Sequence, residues 1–321
     1  MNFWEAQRKA KSRTTLFILS FIGLTVGMAI LIEYVVRFLV KDGYTQPMPY
    51  LGFLFLGLTF LVAGFYYLSF KSQGGSFVAE SLGGRRVETG TRDFKEEQLL
   101  NIVQEMAVAS GQPVPPVYVM EVQDINAFAA GLKPEKSAIA VTRGALNLLN
   151  RDELQGVIAH EFGHIYNADM KISMRLAAMV MGLVFILYFG VRMLEGSLLF
   201  GRRRGNNAVA LIALIFVLAG AITWFAGAIL RSMVSRQREY LADACAVQFT
   251  RNPDGIANAL RKIGGAQTGK GMPKQGMAYA HLYFDNRSFW GKLFTTHPPL
   301  QKRIEAIEGR TYIPEEWSNT Q

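Results

Sequence analysis

The sequence predicts a mostly α-helical membrane protein in which four hydrophobic helices carry a small α+β domain. Three observations predict it. Half of the 321 residues are apolar and 18% are charged, which is too apolar and too sparsely charged for an ordinary soluble protein. Apolar runs long enough for membrane helices alternate with polar chain. The polar chain itself shows helical and strand periodicity, so it must bury a core of its own. The division expected is an N-terminal transmembrane hairpin over 1–70, a polar domain made of 71–175 and 231–321, and a second hydrophobic hairpin inserted at 176–230.

Residues 1–14 carry Arg8, Lys9, Lys11 and Arg13 against Glu5, and Leu16–Ile32 follows without a charge. Apolar character resumes past Glu33 and Arg37 to Val40. The run exceeds a usual signal core and has no clear small-x-small cleavage site, which points to an uncleaved anchor. The polar link Lys41–Pro49 leads to Tyr50–Phe70, uncharged and long enough to span. At Lys71 the composition changes, and 71–94, rich in Gly, Ser and charge, reads as a connector. Phe94–Ser110 has a helical pattern that stops at Gly111 and the prolines 113, 115 and 116. Val117–Met120 and Ala138–Thr142 are β-prone, with Asn126–Gly131 between them. Leu176–Val191 is an uncharged run short for a full span, interrupted by Arg192 and Glu195 before Leu198–Phe200. Ala208–Leu230 is uncharged for 23 residues. Helical patterns over Ser232–Thr250 and Pro253–Gly264, a glycine-rich loop at Gly264–Gly276 and a short amphipathic helix at Gln301–Glu308 complete the chain.

The chemistry concentrates in His160-Glu161-Phe162-Gly163-His164. It lies in Asp152–Asn167, a predicted helix with Leu154, Val157, Ile158 and Ile165 at helical spacing. Residues four apart share a helix face, so His160 and His164 can aim two imidazoles at one ion. Glu161 can then reach a water beside that ion. This H-E-x-x-H arrangement suits zinc, with the carboxylate as general base. Cys245 is the only cysteine, which excludes a disulfide framework and a Cys-rich zinc site and is compatible with a reducing compartment.

A catalytic zinc takes three protein ligands and leaves one position for water. The third candidate is Glu239. Asp243 lies on the same helix face, where it can accept the other ring N–H of a ligand histidine and fix its tautomer. In isolation Glu239 and Asp243 read as a solvated acidic pair beside Arg236 and Arg238; the company of the H-E-x-x-H helix favours the ligand reading. Topology adds a check. Glu239 and His160 can meet only if the chain between them crosses the bilayer an even number of times, and two hydrophobic runs lie between. From His164 to Leu176 is 12 residues, at most about 18 Å of helix, and from Leu230 to Glu239 is nine, about 14 Å. Both halves of the site are therefore expected near a membrane surface. A strand beside such a helix can also bind an extended peptide by adding it as another strand.

These residues resemble the integral-membrane zinc metalloproteases that include HtpX and the type I CAAX prenyl proteases, and are most similar to the HtpX-like members. The resemblance rests on His160–His164 followed by Asn167 and Asp169, on Glu239 with Asp243, and on Thr296-His297-Pro298-Pro299-Leu300 with Arg303-Ile304. Asn126-Ala127-Phe128 and Ile139–Thr142 also look like that family. Coverage runs from about Phe94 to Ile307. The resemblance implies a gluzincin-like α+β zinc metalloprotease domain with one Zn2+ per chain. By it, His160, His164 and Glu239 bind the metal, Glu161 activates water, and Asp243 orients a histidine. His281 and Arg287 resemble residues that contact substrate or the developing oxyanion, although an ordinary surface His281 remains open. His297 looks structural, part of a turn that packs the last helix. The Gly264–Gly276 loop finds no match.

The expected activity is that of a membrane-anchored zinc endopeptidase acting on membrane or membrane-proximal proteins, misfolded ones by resemblance to HtpX. Two alternatives stand beside it. One is a CAAX-type processing protease, which by the same resemblance needs a larger intramembrane chamber than four spans provide. The other is a non-catalytic protein in which zinc staples two segments, although such a site has no use for Glu161. The net charge of +9 could suggest nucleic acid, but the basic residues gather beside hydrophobic runs, where lipid headgroups or topology account for them. The basic N-terminus places residue 1 and the catalytic domain in the cytoplasm, and the lack of a transit-like or cleavable leader suits a bacterial inner membrane. Arg202–Arg204 then falls outside, against the positive-inside trend. Either the third and fourth runs form a hairpin that does not fully cross, or the N-terminal tail is a poor guide.

Overall fold

The structure, a computed structural model, describes residues 3–39, 48–200, 207–266 and 298–309. The chain forms two compact units. One comprises Met1–Leu68 with Arg175–Arg231, the other Ser69–Met174 with Ser232–Gln321.

The first unit is helical. Helices α1 (Phe3–Leu39), α2 (Tyr50–Gln73), α7 (Met170–Phe200) and α8 (Asn207–Thr250) contain the four segments long and apolar enough to cross a bilayer. These are Leu19–Leu39, Tyr50–Gln73, Met170–Ser197 and Ala208–Gly227. The third run, short when read by charge alone, gains length because Met170–Arg175 joins the same helix. Inside the unit Met28, Ile32, Val36, Phe55, Ile186 and Phe216 form a common core. Outward, Ile30, Phe38, Leu61 and Leu218 are exposed, as lipid-facing side chains must be. With no hydrophobic effect between helices in lipid, close backbone approach supplies the packing. A Cβ on Gly182 would stand 2.4 Å from the Thr59 carbonyl oxygen, so any side chain there would push α7 from α2. Glu33, buried in the first span, accepts from Arg37 Nε at 2.8 Å and from the Leu51 and Gly52 amides at 3.2 Å each. It thereby satisfies the otherwise unmet donors of the first turn of α2.

The second unit is α+β. After α3 (Gly75–Ser81) come β1 (Arg85–Arg86), α4 (Phe94–Ser110), β2 (Val117–Met120), β3 (Ala127–Ala130), a 3-10 turn at Pro134–Lys136, β4 (Ala138–Thr142), α5 (Arg143–Leu148) and α6 (Arg151–Tyr166). The end of α8, α9 (Pro253–Ala266) and α10 (Leu300–Glu308) close it. The sheet order is β1-β2-β4-β3, with β2 and β4 parallel and both outer strands antiparallel. One core joins Leu99, Ile102 and Val103 of α4, the inner faces of the strands, Val157, Ile158 and Phe162 of α6, and Leu260 and Ile304.

The stretch 71–94 is more ordered than a connector. It holds the end of α2, then α3 and β1, because Gly75 packs directly on the β3–β4 turn. A Cβ there would lie 2.1 Å from the Ala130 carbonyl oxygen. Lys136 Nζ donates to the last carbonyls of α2, those of Lys71 and Ser72, which need such partners. β3, which the sequence pattern does not mark, follows β2 in the chain and pairs with β4 at the edge of the sheet.

Helix α6 starts at a capping box. Asn150 accepts from the Glu153 amide at 2.9 Å while Glu153 accepts from the Asn150 amide at 2.8 Å. It stops at Asn167-Ala168-Asp169, where Ala168 takes a left-handed φ of 55°. The amides of Asn167, Ala168 and Asp169 turn back onto the carbonyls of Gly163, Ile165 and His164, closing the helix end.

Candidate metal centre

Two helices build the centre. Along α6, Phe162 faces the core, which turns His160 and His164 toward α8. Gly163 lets α8 come close, since a Cβ would stand 3.0 Å from both Cα and O of Ala242. Glu239, Ala242, Asp243 and Ala246 thus lie on the buried face of α8.

His160, His164 and Glu239 converge. Each offers a ligand atom, and these atoms all lie within 4.8 Å of one another. Both imidazoles present Nε2, each 3.6 Å from an oxygen of Glu239. That is too long for a hydrogen bond. It is close to the roughly 3.3 Å that separates two donors about 2.0–2.1 Å from a shared tetrahedral ion. The donor set, two neutral nitrogens and one carboxylate, also suits zinc, so the residues present fit a metal.

The other ring nitrogens are held by carboxylates. His160 Nδ1 donates to Asp243 Oδ1 at 2.8 Å. A carboxylate only accepts, so Nδ1 carries the proton and Nε2 turns its lone pair toward Glu239. His164 Nδ1 lies 3.7 Å from Asp169 Oδ2, a looser arrangement. Burial opposes protonation of His160, but the hydrogen bond to Asp243 and the nearby Glu239 carboxylate outweigh it and hold the imidazole up at about 9 when no metal is present. His164 is raised as well, burial again opposed by the nearby carboxylates of Asp169 and Glu239. Burial pushes Asp243 up, yet the Arg303 guanidinium and the bond from His160 bring it down to about 2.

Glu161 points at the sheet. Its Oε2 accepts from the Ala129 amide of β3 at 2.6 Å. The register explains this contact. The Thr142 amide donates to the Asn126 carbonyl, so 126, 128 and 130 bond β4, and Ala127 and Ala129 aim their backbone groups away from it, at the unpaired edge of β3.

The expected residues His160, Glu161, His164, Glu239 and Asp243 are therefore brought together, and burial of Glu239 and Asp243 rules out a solvated pair. Arg238 reaches Asp169: its Nε is 3.4 Å from Asp169 Oδ1. His281, Arg287 and His297 lie outside the described residues, as do Arg202–Arg204 and most of the Gly264–Gly276 loop. Sequence reasoning noted Arg303 only as part of a family motif. The structure buries it completely against Asp243, and its single signal was a basic residue at an inward position of an amphipathic helix.

The profile described as peptidase family M48 matches residues 93–311, from the cap of α4 to just beyond α10. The chain belongs to peptidase family M48. Its M48 relatives include "Protease HtpX homolog" of Listeria monocytogenes serovar 1/2a, 36% identical over 317 residues, 94% of this chain and 98% of that one. The protein of that description from Thermoanaerobacter pseudethanolicus is 42% identical over 217 residues, 66% of this chain and 72% of its own. Among solved structures, the crystal structure of S. mikatae Ste24p matches with a TM-score of 0.45 and 16% identity, covering 94% of this chain and 67% of that one. This M48 peptidase is thus an integral-membrane metalloprotease, a hydrolase that takes a metal ion and a protein substrate.

Proposed function

We propose that the metal is zinc, held by His160, His164 and Glu239, and that Glu161 is the general base of an endopeptidase acting on membrane or membrane-proximal proteins. The observation that carries this reading is the convergence of the three ligand atoms, with the Glu161 carboxylate one residue along the same helix. Bound there, zinc would supply a Lewis acid for the scissile carbonyl and lower the pKa of water. Glu161 takes the proton of the attacking water as the C–O bond forms, then delivers it to the nitrogen as the C–N bond breaks. Asp243 keeps the His160 tautomer. The outward carbonyls at Ala127 and Ala129, and the Ala129 amide, offer a substrate strand its backbone partners, while the Ala127 amide is held by Asn126 Oδ1 at 2.9 Å. A substrate amide and carbonyl placed there would compete with Glu161 for Ala129.

The short chain lengths between the spans and the site residues support substrates in or at the bilayer, and the relatives named HtpX support a role in protein quality control. The basic N-terminus supports a bacterial inner membrane protein with its protease unit, 71–175 and 231–321, facing the cytoplasm. Cysteine labelling at Arg203 and Ser318 with an impermeant reagent tests that orientation: reaction from opposite sides is expected, and reaction from the same side removes a full crossing.

The mechanism is tested by Glu161→Gln in the full-length protein. The expected outcome is unchanged zinc content with cleavage of a membrane protein substrate lost by on the order of 10²–10⁴-fold. Cleavage at the wild-type rate would refute the assignment of Glu161.

A further inference from the structure

Arg303 is the largest fully buried side chain among the described residues, and it enters the metal centre from an element remote in sequence. We propose that Arg303 is a positioning residue for the metal ligands and that α10, which carries it, is the part of the fold that completes the metal centre. The inference rests on the assignment of His160, His164 and Glu239 as ligands.

The geometry is a fork. Arg303 Nε donates to Asp243 Oδ2 at 2.9 Å and Nη2 to Asp243 Oδ1 at 2.7 Å. Two parallel bonds fix the carboxylate in the guanidinium plane, which a lysine's single ammonium cannot do. The oxygen so fixed, Oδ1, is the one that receives the His160 Nδ1 proton. The same Nη2 lies 3.4 Å from that Nδ1. A cation beside a ring nitrogen disfavours a lone pair facing it, so Arg303 supports the tautomer that leaves Nε2 for the metal. Nη1 reaches to 3.5 Å from Glu239 Oε2. One guanidinium therefore touches the partner of one ligand and a second ligand directly.

Burial makes the arrangement stiff. Asp243 and Glu239 are buried anions, and without a cation one of them would take up a proton or move toward water. Arg303 gives both carboxylates a buried cationic partner that holds them in place. Helix α10 is pinned to supply it: Ile304 sits in the domain core with Leu300 and Ile307 packed around it, and Glu308 pairs with Arg261 of α9. Arg303 and Asp243 are 60 positions apart. Closure of the centre thus depends on the last helix docking.

The test uses the full-length protein in detergent, stripped of metal and titrated with zinc against a chromophoric chelator, and with cobalt for its visible spectrum. Arg303→Met is expected to weaken zinc binding by on the order of 10–100-fold, the range for partners of metal ligands. Arg303→Lys is expected to lose several-fold, because it keeps the charge and loses the fork, and the cobalt spectrum should shift in both. Because Arg303 acts largely through Asp243 and only in part on Glu239, Asp243→Asn combined with Arg303→Met is expected to lose less zinc affinity than the sum of the two single losses. Wild-type affinity and spectrum in Arg303→Lys overturn the inference, even where Arg303→Met does not fold. Additive losses in the double variant overturn it too. A wild-type protein that binds no zinc overturns the ligand assignment and the inference with it.

Discussion

The two histidines of the proposed metal centre lie one helical turn apart, yet their surroundings differ. His160 is fully buried, bonded at 2.8 Å to an aspartate that is itself gripped by a buried arginine. The His164 side chain keeps 17% of its surface, and its aspartate stands off at 3.7 Å. That second aspartate, Asp169, meets Arg238 only at 3.4 Å. The contrast teaches that one half of the centre is preorganised and the other is left to tighten on the metal. It also follows the chain. Asp243 and Arg303 come from helices locked in the core, whereas Asp169 sits in the turn that ends α6.

The largest break in that comparison is expected at Asp243. Asp243→Asn leaves Arg303 buried without its carboxylate and lets the His160 ring choose the wrong tautomer. Zinc affinity, measured by chelator competition, should fall by on the order of 100-fold. Asp169→Asn should cost no more than about 10-fold, because the contact it removes is already long. Equal losses would mean that the two halves are equally organised once metal is bound.

The pH dependence sharpens the same contrast. In the metal-free protein His160 is held at about 9, above its ordinary 6.5. A raised value means that the stability contributed by the charged imidazole is fully present below about 6.5 and is lost as pH rises through about 9. Metal must displace that proton, so zinc affinity should climb at least tenfold per pH unit up to about 9 and then flatten. For Asp243, lowered to about 2, the sign reverses: its contribution is present above its ordinary value and is lost as pH falls through about 2. Isothermal titration across pH 6–10 checks the first direction, and chemical denaturation of the metal-free protein from pH 10 down to about 2 checks both. A flat affinity profile would remove the proton from His160.

Much of this centre was legible in the sequence because helices advertise themselves by period. The four spans, α4, α6, α9 and α10 each carry enough apolar residues at fixed spacing to be read, and two histidines four apart need only a helix to converge. Glu239 and Asp243 followed from the same rule. What escaped reading depends on contacts across the fold. β1 has two residues and β3 reads Ala-Phe-Ala-Ala, too little for a period, and both exist because a neighbour pairs with them. α3 exists where Gly75 can touch Ala130. The contact of Arg238 with Asp169 is invisible locally, since nothing in the helix pattern shows that α8 turns it there. Arg303 carries only a motif resemblance in the sequence, since nothing local shows that it is buried against Asp243.

Gly163 sets how closely the two ligand helices approach, and Gly163→Val should press against Ala242 and the Cys245 Cβ, which a Cβ would meet at 3.0–3.1 Å. Overpacking of this kind costs about 1–3 kcal/mol. Because the pressure falls between His164 and Glu239, zinc affinity and thermal stability of the metal-free protein should drop together. A melt shifted downward with zinc affinity intact would place the strain elsewhere.

The smallest effect separates the helix from the site it carries. Asn150 caps α6 two turns or more from His160, and its side chain and that of Glu153 satisfy each other's backbone amides. Asn150→Ala removes one half of that exchange and leaves the Glu153 amide without its acceptor, at a cost of about 1 kcal/mol. Glu153 keeps a second anchor in Lys262 Nζ of α9 at 2.7 Å, so the helix start should loosen without detaching. Its effect should stay at that end, because Val157, Ile158 and Phe162 hold the middle of α6 in the core. Thermal unfolding should move down by a few degrees for a unit of this size, while zinc affinity and the cobalt spectrum remain those of the parent. A change in the metal spectrum of Asn150→Ala would show that the ligands ride on the whole helix rather than on its packed middle.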